Sequence, residues 1–280
     1  MGGWQDDHTE KDVEESQRGS GQDAPAVVRL SRSFWDDARN GTGKEKRQFV
    51  LRQLTGISAR CSITTLELRR CAMTGPRAEW LAEGVLAQCR ALVHLDLRWN
   101  GIGSAGAEGL AGVLSQCTAL AHLNVSGNQF GDAGAGRLAG VFAQCAALAH
   151  LRYNQFGNAK TESFAGVLGQ CPALAHLDLR NNQIGDAGAE SLAGVLAQCA
   201  ALAHLNLRCN QFGDAGAESF AGVLGQCAAL ARLDLGYNQI GAVGGVRLRA
   251  SWRGQATGLV LEGEKQEQEE DEEEDEEEEV

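Results

Sequence analysis

The stretch LAHLDLRNNQIGDAG, residues 174–188, runs on into AESLAGVLAQC, residues 189–199, and the reading of the chain follows from it. Leu177 and Leu179 alternate with polar residues, the pattern of a strand with one buried face. Leu192, Val195, Leu196 and Cys199 then fall at i, i+3, i+4 and i+7, one apolar stripe along a helix. Asp186 stands ahead of that helix, where a carboxylate serves as an N-cap or opposes the positive end of the helix dipole. The unit is therefore strand, turn, helix, and it cannot bury its apolar surfaces by itself.

The sequence supplies neighbours that can. LAGVLAQC at 192–199 returns almost unchanged at 110–117, 138–145, 164–171 and 220–227. Cys61, Cys89, Cys117, Cys145, Cys171, Cys199 and Cys227 follow one another at 28, 28, 28, 26, 28 and 28 residues. Leu-x-x-Leu-x-Leu-x-x-Asn recurs from Leu92 to Asn100, Leu120 to Asn128, Leu174 to Asn182, Leu202 to Asn210 and Leu230 to Asn238. A divergent copy runs from Ile63 to Cys71. This is the leucine-rich-repeat signature. With a 28-residue unit and a long helix ending in Gln-Cys, residues 60–262 resemble the ribonuclease-inhibitor-like subfamily of that family. Stacked strands need about 4.8 Å each and stacked helices about 8–10 Å, so the stack must bend with its strands inside. The expected fold is an α/β solenoid, a horseshoe with a concave parallel β-sheet, convex helices and about seven repeats of 26–29 residues plus caps.

The cysteines then need no disulfides. One per repeat at a helix end, they stand a helix spacing apart, beyond the roughly 7 Å a disulfide spans. They read as buried reduced thiols acting as small hydrophobes. Cys209 differs, because it lies on a strand and is expected to be exposed. Repeat four, Leu148 to Asn154, is two residues short, which preserves strand facing but shortens a connection and predicts a weak point. The last copy degrades, with Trp252 for the helix leucine, Gln255 for the cysteine and Leu259-Val260-Leu261 as a final strand. Such an ending suits a cap.

Outside the repeats, residues 1–24 are polar and Gly-rich and read as disordered. Residues 25–59, with a strand at Ala26–Leu30 and a helix at Lys44–Leu54, read as an N-terminal cap. Residues 263–280 read as a disordered acidic tail. From Glu262 to Val280 there are fourteen carboxylates and one lysine, a local charge of −13 against −12 for the whole chain. The remainder carries +1, and a body without a basic excess argues against nucleic acid as a ligand. No apolar run approaches the roughly 18 residues of a membrane span. The N-terminus has no apolar signal segment, and Asp6 stands where myristoylation wants Ser or Thr. The expectation is an intracellular protein, cytoplasmic or nuclear, with no membrane contact.

Copied residues report architecture, so function is sought where copies differ on an exposed surface. Outward strand positions make four columns. The first is Thr65, His94, His122, His150, His176, His204 and Arg232, and the second is Glu67, Asp96, Asn124, Asp178, Asn206 and Asp234, with repeat four missing. The third is Arg69, Arg98, Ser126, Arg152, Arg180, Arg208 and Gly236; the fourth is Arg70, Trp99, Gly127, Tyr153, Asn181, Cys209 and Tyr237. Five histidines in a row suggest a metal or a pH sensor, but a flat ladder lacks the convergence a metal needs, and no metal or cofactor is expected. The arginines either pair with the Asp/Asn column or read an acidic partner. Exposed aromatics beside arginines are the commonest composition of an interface hot spot. Arg98, Trp99, Arg152, Tyr153, Arg180, Arg208 and Tyr237 are therefore the candidate partner-binding residues.

Catalytic patterns are missing. There is no Gly-x-Ser-x-Gly or His-Glu-x-x-His, and Gly41-Thr42-Gly43-Lys44 fails as a phosphate loop because Ala38 and Glu45 stand where Gly and Ser/Thr belong. The sequence thus reads as a non-enzymatic scaffold that binds a protein partner on its concave face. An acidic tail behind such repeats is also similar in layout to the Ran GTPase-activating protein, implying activation of a small GTPase. A third reading has the tail capture basic proteins such as histones, as in acidic nuclear leucine-rich phosphoproteins.

Overall fold

The computed structural model describes residues 13–15, 26–30, 63–142, 148–169, 171 and 173–261. Ten strands, in chain order across one open sheet, are β1 (Val13–Glu15), β2 (Ala26–Leu30), β3 (Ile63–Glu67), β4 (His94–Asp96), β5 (His122–Asn124), β6 (Leu148–His150), β7 (His176–Asp178), β8 (His204–Asn206), β9 (Arg232–Asp234) and β10 (Leu259–Val260). Seven helices alternate with them: α1 (Gly75–Gly84), α2 (Gly103–Leu114), α3 (Gly131–Phe142), α4 (Asn158–Leu168), α5 (Asp186–Leu196), α6 (Asp214–Leu224) and α7 (Ala242–Ser251). From β2 to β10 every pairing is parallel. The expected strands at Ala26–Leu30 and at the C-terminal end are present. β1 pairs antiparallel with β2 and lies within the stretch whose composition reads as disordered. The expected helix at 44–54 and the acidic tail fall outside the described residues.

Burial follows the two periods of the repeat. In register, Leu66, Leu95, Leu123, Ala149, Leu177, Leu205 and Leu233 form a buried line behind the sheet. Leu110, Leu138, Phe164, Leu192, Phe220 and Leu248 meet it from the helices. Between them lies one continuous core.

Polar side chains tie neighbouring repeats together on two sides of the stack. On the sheet side, the signature asparagines are buried and bridge backbones. Asn128 Nδ2 donates to Leu97 O and Val125 O, both at 2.9 Å, while its Oδ1 accepts from the Asn100 and Ile102 N–H groups at 3.1 and 3.4 Å. Asn100, Asn154, Asn182 and Asn210 repeat the bridge. On the helix side, the carboxylate read as a cap for its own helix caps the following one. Asp186 Oδ1 accepts from the N–H groups of Gly213 and Gly216 at 2.8 and 2.9 Å, at the start of α6. Asp214 does the same for Gly241 and Gly244, and Asn158 for Gly185 and Gly188. The helix N-termini lie side by side, so the nearest orphan N–H groups belong to the neighbouring repeat. Gly216 and Gly244 leave room for this, since a Cβ at Gly244 would lie 2.5 Å from Asp214 Oδ1.

Among the described residues the periodic cysteines are free thiols. Cys89, Cys117, Cys171 and Cys199 are buried and Cys227 is half-buried. Sγ of Cys89, Cys171 and Cys227 donates to the carbonyl four residues earlier at 3.3–3.4 Å. Burial, with a neighbouring thiol as a second cause, pushes Cys89, Cys171 and Cys199 up to about 11. A thiol held above its ordinary value is a poor nucleophile. Cys209 is half-buried rather than exposed.

Candidate binding face

Four outward columns do form on the sheet, with one change of register. Hydrogen bonding sets His122 opposite Leu148, and Asn124 opposite His150, which in turn faces Asp178. His150 therefore belongs to the second column, not the first, and fills the place assigned as missing in repeat four. The cause is the asparagine ladder: Asn154 must bridge to Val125 O and Asn182 to Leu151 O. That requirement absorbs the two-residue deletion before β6 rather than within it. The five-histidine row is accordingly two stacked pairs. His94 and His122 have ring centroids 5.6 Å apart, and His176 and His204 4.3 Å apart. Among the described residues no group of three or more metal-ligating side chains converges.

His150 instead joins a charged cluster. Its Nδ1 is 3.8 Å from Asp178 Oδ2, which also has Arg152 Nε at 3.5 Å and Arg180 Nη2 at 3.4 Å. Burial pushes the Asp178 carboxyl up, but the His150 imidazole and the two guanidiniums outweigh it and hold it below its ordinary value. Asp96 is similarly placed, with Arg69 Nε at 2.8 Å and Arg98 Nε at 3.1 Å. Arg208 lies 3.9 Å from Asp234 and 4.4 Å over the Tyr237 ring. Arg98 and Arg208 are buried and Arg152 and Arg180 half-buried, so all four candidate arginines are held in this ladder.

The pairs of histidines make the array sensitive to acid. Burial lowers His94, helped by His122, although Glu67 opposes it; burial and then His204, His150 and His122 lower His176. As pH falls through about 6.5 an unfolded histidine takes up a proton, while folded His94 and His176 resist until lower pH. The unfolded state then binds more protons, and stability declines on acidification. Asp178, lowered in the fold, adds a further loss only below about pH 4, as the unfolded carboxyl protonates first. Denaturation midpoints should therefore fall between pH 7 and pH 5, and a His94→Gln/His176→Gln variant should show a flatter profile over that window.

The fourth column has the most unusual backbone. Arg70, Trp99, Tyr153, Asn181, Cys209 and Tyr237 have φ of 52–59°, and Gly127 has φ 67°. This left-handed region suits glycine and asparagine and costs other residues about 1–2 kcal/mol. Gly127 and Asn181 are the residues such a site prefers; Trp99, Tyr153 and Tyr237 are not, yet they are 41%, 40% and 52% exposed. Trp99 lies flat over Gly127, where a Cβ would come within 2.3 Å of its ring. Across that glycine, Trp99 meets Tyr153 of the second repeat on, with ring centroids 5.2 Å apart at 40°. The sequence shows the aromatics but not the seat that joins them; the one readable signal was glycine alone among large residues in this column.

An open parallel sheet backed by helices, with asparagine bridges at a constant interval, defines a repeat solenoid. Five segments, 88–111, 116–139, 170–193, 198–221 and 226–248, match the family described as Leucine Rich repeat, and the chain is a leucine-rich-repeat protein. No curated protein matches it. Among solved structures, internalin C2 of Listeria monocytogenes is similar at 19% identity and a TM-score of 0.40, covering 64% of this chain and 73% of that one. Internalin InlF of the same organism is similar at 15% identity and a TM-score of 0.38, covering 75% of this chain and 77% of that one. No helix among the described residues is long and apolar enough to cross a membrane.

Proposed function

We propose that the protein is a non-enzymatic scaffold of the ribonuclease-inhibitor-like kind, which holds a protein partner on the outward face of its sheet. One observation carries this reading. Three aromatic side chains stand exposed at backbone positions that disfavour them, and two are joined across a glycine. Folding gains little from a half-exposed ring on a left-handed backbone, whereas a partner would bury it. Trp99, Tyr153 and Tyr237 are the contact residues. Arg98, Arg152, Arg180 and Arg208 stand beside them as a charged floor whose side chains are already ordered, so binding loses little rotamer freedom there. Nothing in the geometry favours GTPase activation. Capture of basic proteins such as histones rests on the acidic tail and would show as binding that salt abolishes.

The test is a pull-down of cell lysate with the full chain and with a Trp99→Ala/Tyr153→Ala variant. Loss of a salt-resistant partner by at least about tenfold in the variant is expected for truncation of a hot-spot pair. Undiminished capture would remove the aromatic column from the interface.

A further inference from the structure

The outward face carries more guanidiniums than carboxylates. Arg69 and Arg98 share Asp96, with Glu67 also 3.5 Å from Arg69, while Arg152 and Arg180 share Asp178. Asn124 and Asn206 stand in the same column without charge. Across the four columns Arg69, Arg70, Arg98, Arg152, Arg180, Arg208 and Arg232 face Glu67, Asp96, Asp178 and Asp234, a net charge of +3. The body as a whole carries +1, so the excess is concentrated on this face. Partly buried guanidiniums keep their field better than freely solvated ones, because salt and water screen them less.

The chain holds a segment of the opposite sign beside this face. Residues 262–280, at −13, begin directly after Leu261. They continue from β10, which pairs with β9 through Val260 and Asp234. The tail is thereby tethered at the edge of the sheet, next to the exposed Arg232 and Tyr237. Its 19 residues reach at most about 60 Å when extended. The seven strand spacings from β10 back to β3 come to about 34 Å. Tethering at this range gives an effective concentration of about a millimolar, enough for weak charge pairing to be populated.

We propose that the chain's own acidic segment, residues 262–280, lies in cis across the outward sheet face, which recognises acidic polypeptide. This rests on the reading of that face as the binding surface and supplies the chemistry of its ligand. An incoming acidic partner then competes with the tail.

Cys209 reports occupancy, since it stands half-buried in the fourth column between Asn181 and Tyr237. Its alkylation by neutral iodoacetamide is followed by peptide mass mapping. The full chain is compared with a full-length variant whose carboxylates from 267 to 279 are replaced by Gln and Asn. The native tail is expected to slow Cys209 alkylation about threefold or more at low salt, with the difference closing in about 1 M NaCl. Arg70→Gln/Arg232→Gln should also narrow it. Equal rates for the two tails at low salt, or protection that persists at high salt, overturn the proposal. Protection that grows with protein concentration overturns the cis arrangement in favour of a tail from a second copy. If Trp99→Ala/Tyr153→Ala loses its partner while both tails leave Cys209 equally reactive, the face binds protein but not acidic chain. If that variant keeps its partner, the reading of the face itself fails.

Discussion

Phe220→Ala is expected to destabilise the protein by about 4 kcal/mol, the upper range for losing a large buried side chain. Phe220 is fully buried in α6, with its ring centroid 6.0 Å from that of Phe212 at 51°. Both the transfer energy of the ring and the contacts lining the cavity are lost. Phe220→Leu should cost about 1 kcal/mol, because Leu192 and Leu248 fill the equivalent place in the flanking repeats. Chemical denaturation followed by circular dichroism separates the two. Because each repeat touches only its neighbours, the loss in Phe220→Ala should appear as early unfolding of the C-terminal repeats. Equal costs for the two variants would mean that the site collapses around the deletion.

Asn128→Ala should cost about 3 kcal/mol, most of it through backbone groups left without partners in the interior. The Leu97 and Val125 carbonyls keep a second donor, from Asn100 and Asn154. The Asn100 and Ile102 N–H groups lose the Asn128 oxygen that accepts from them. Asn238 provides the control. Its Nδ2 also bridges two carbonyls, but its Oδ1 accepts from no described donor. Asn238→Ala should therefore cost less than half as much, about 1 kcal/mol. Midpoints from urea titrations of the two variants decide the matter, and similar values would place the stabilisation in the donated bonds alone.

Most of the fold was legible because period and signature are local properties of the chain. Leu177, Leu179, Leu192 and Leu196 declare their faces by spacing alone. Four features were not legible, each for a physical reason. His150 could be aligned forward from Cys145 or backward from Asn154, and only the asparagine bridges between strands choose the second. Asp186 sits where a cap belongs, but a sequence does not say that the N–H groups nearest it lie 27 and 30 residues on. The aromatic column was visible as residue types. Its left-handed backbone and the contact of Trp99 with Tyr153 over Gly127 depend on three repeats coming into register. The sharing of one carboxylate by two arginines likewise arises between strands.

The forward caps also bear on how long such a protein can be. From α4 to α7 each described junction is closed by one side chain from either unit, an asparagine reaching back and a carboxylate or amide reaching on. A 28-residue block excised between equivalent points would leave the same two closures facing each other, and a duplicated block would recreate them. The array can therefore be edited in whole units, as a chain of identical couplings can be shortened or extended at any link. Pro76 in α1 and Ala242 in α7, the equivalents of Asp186 and Asp214, have no side-chain oxygen, so neither can make the forward coupling.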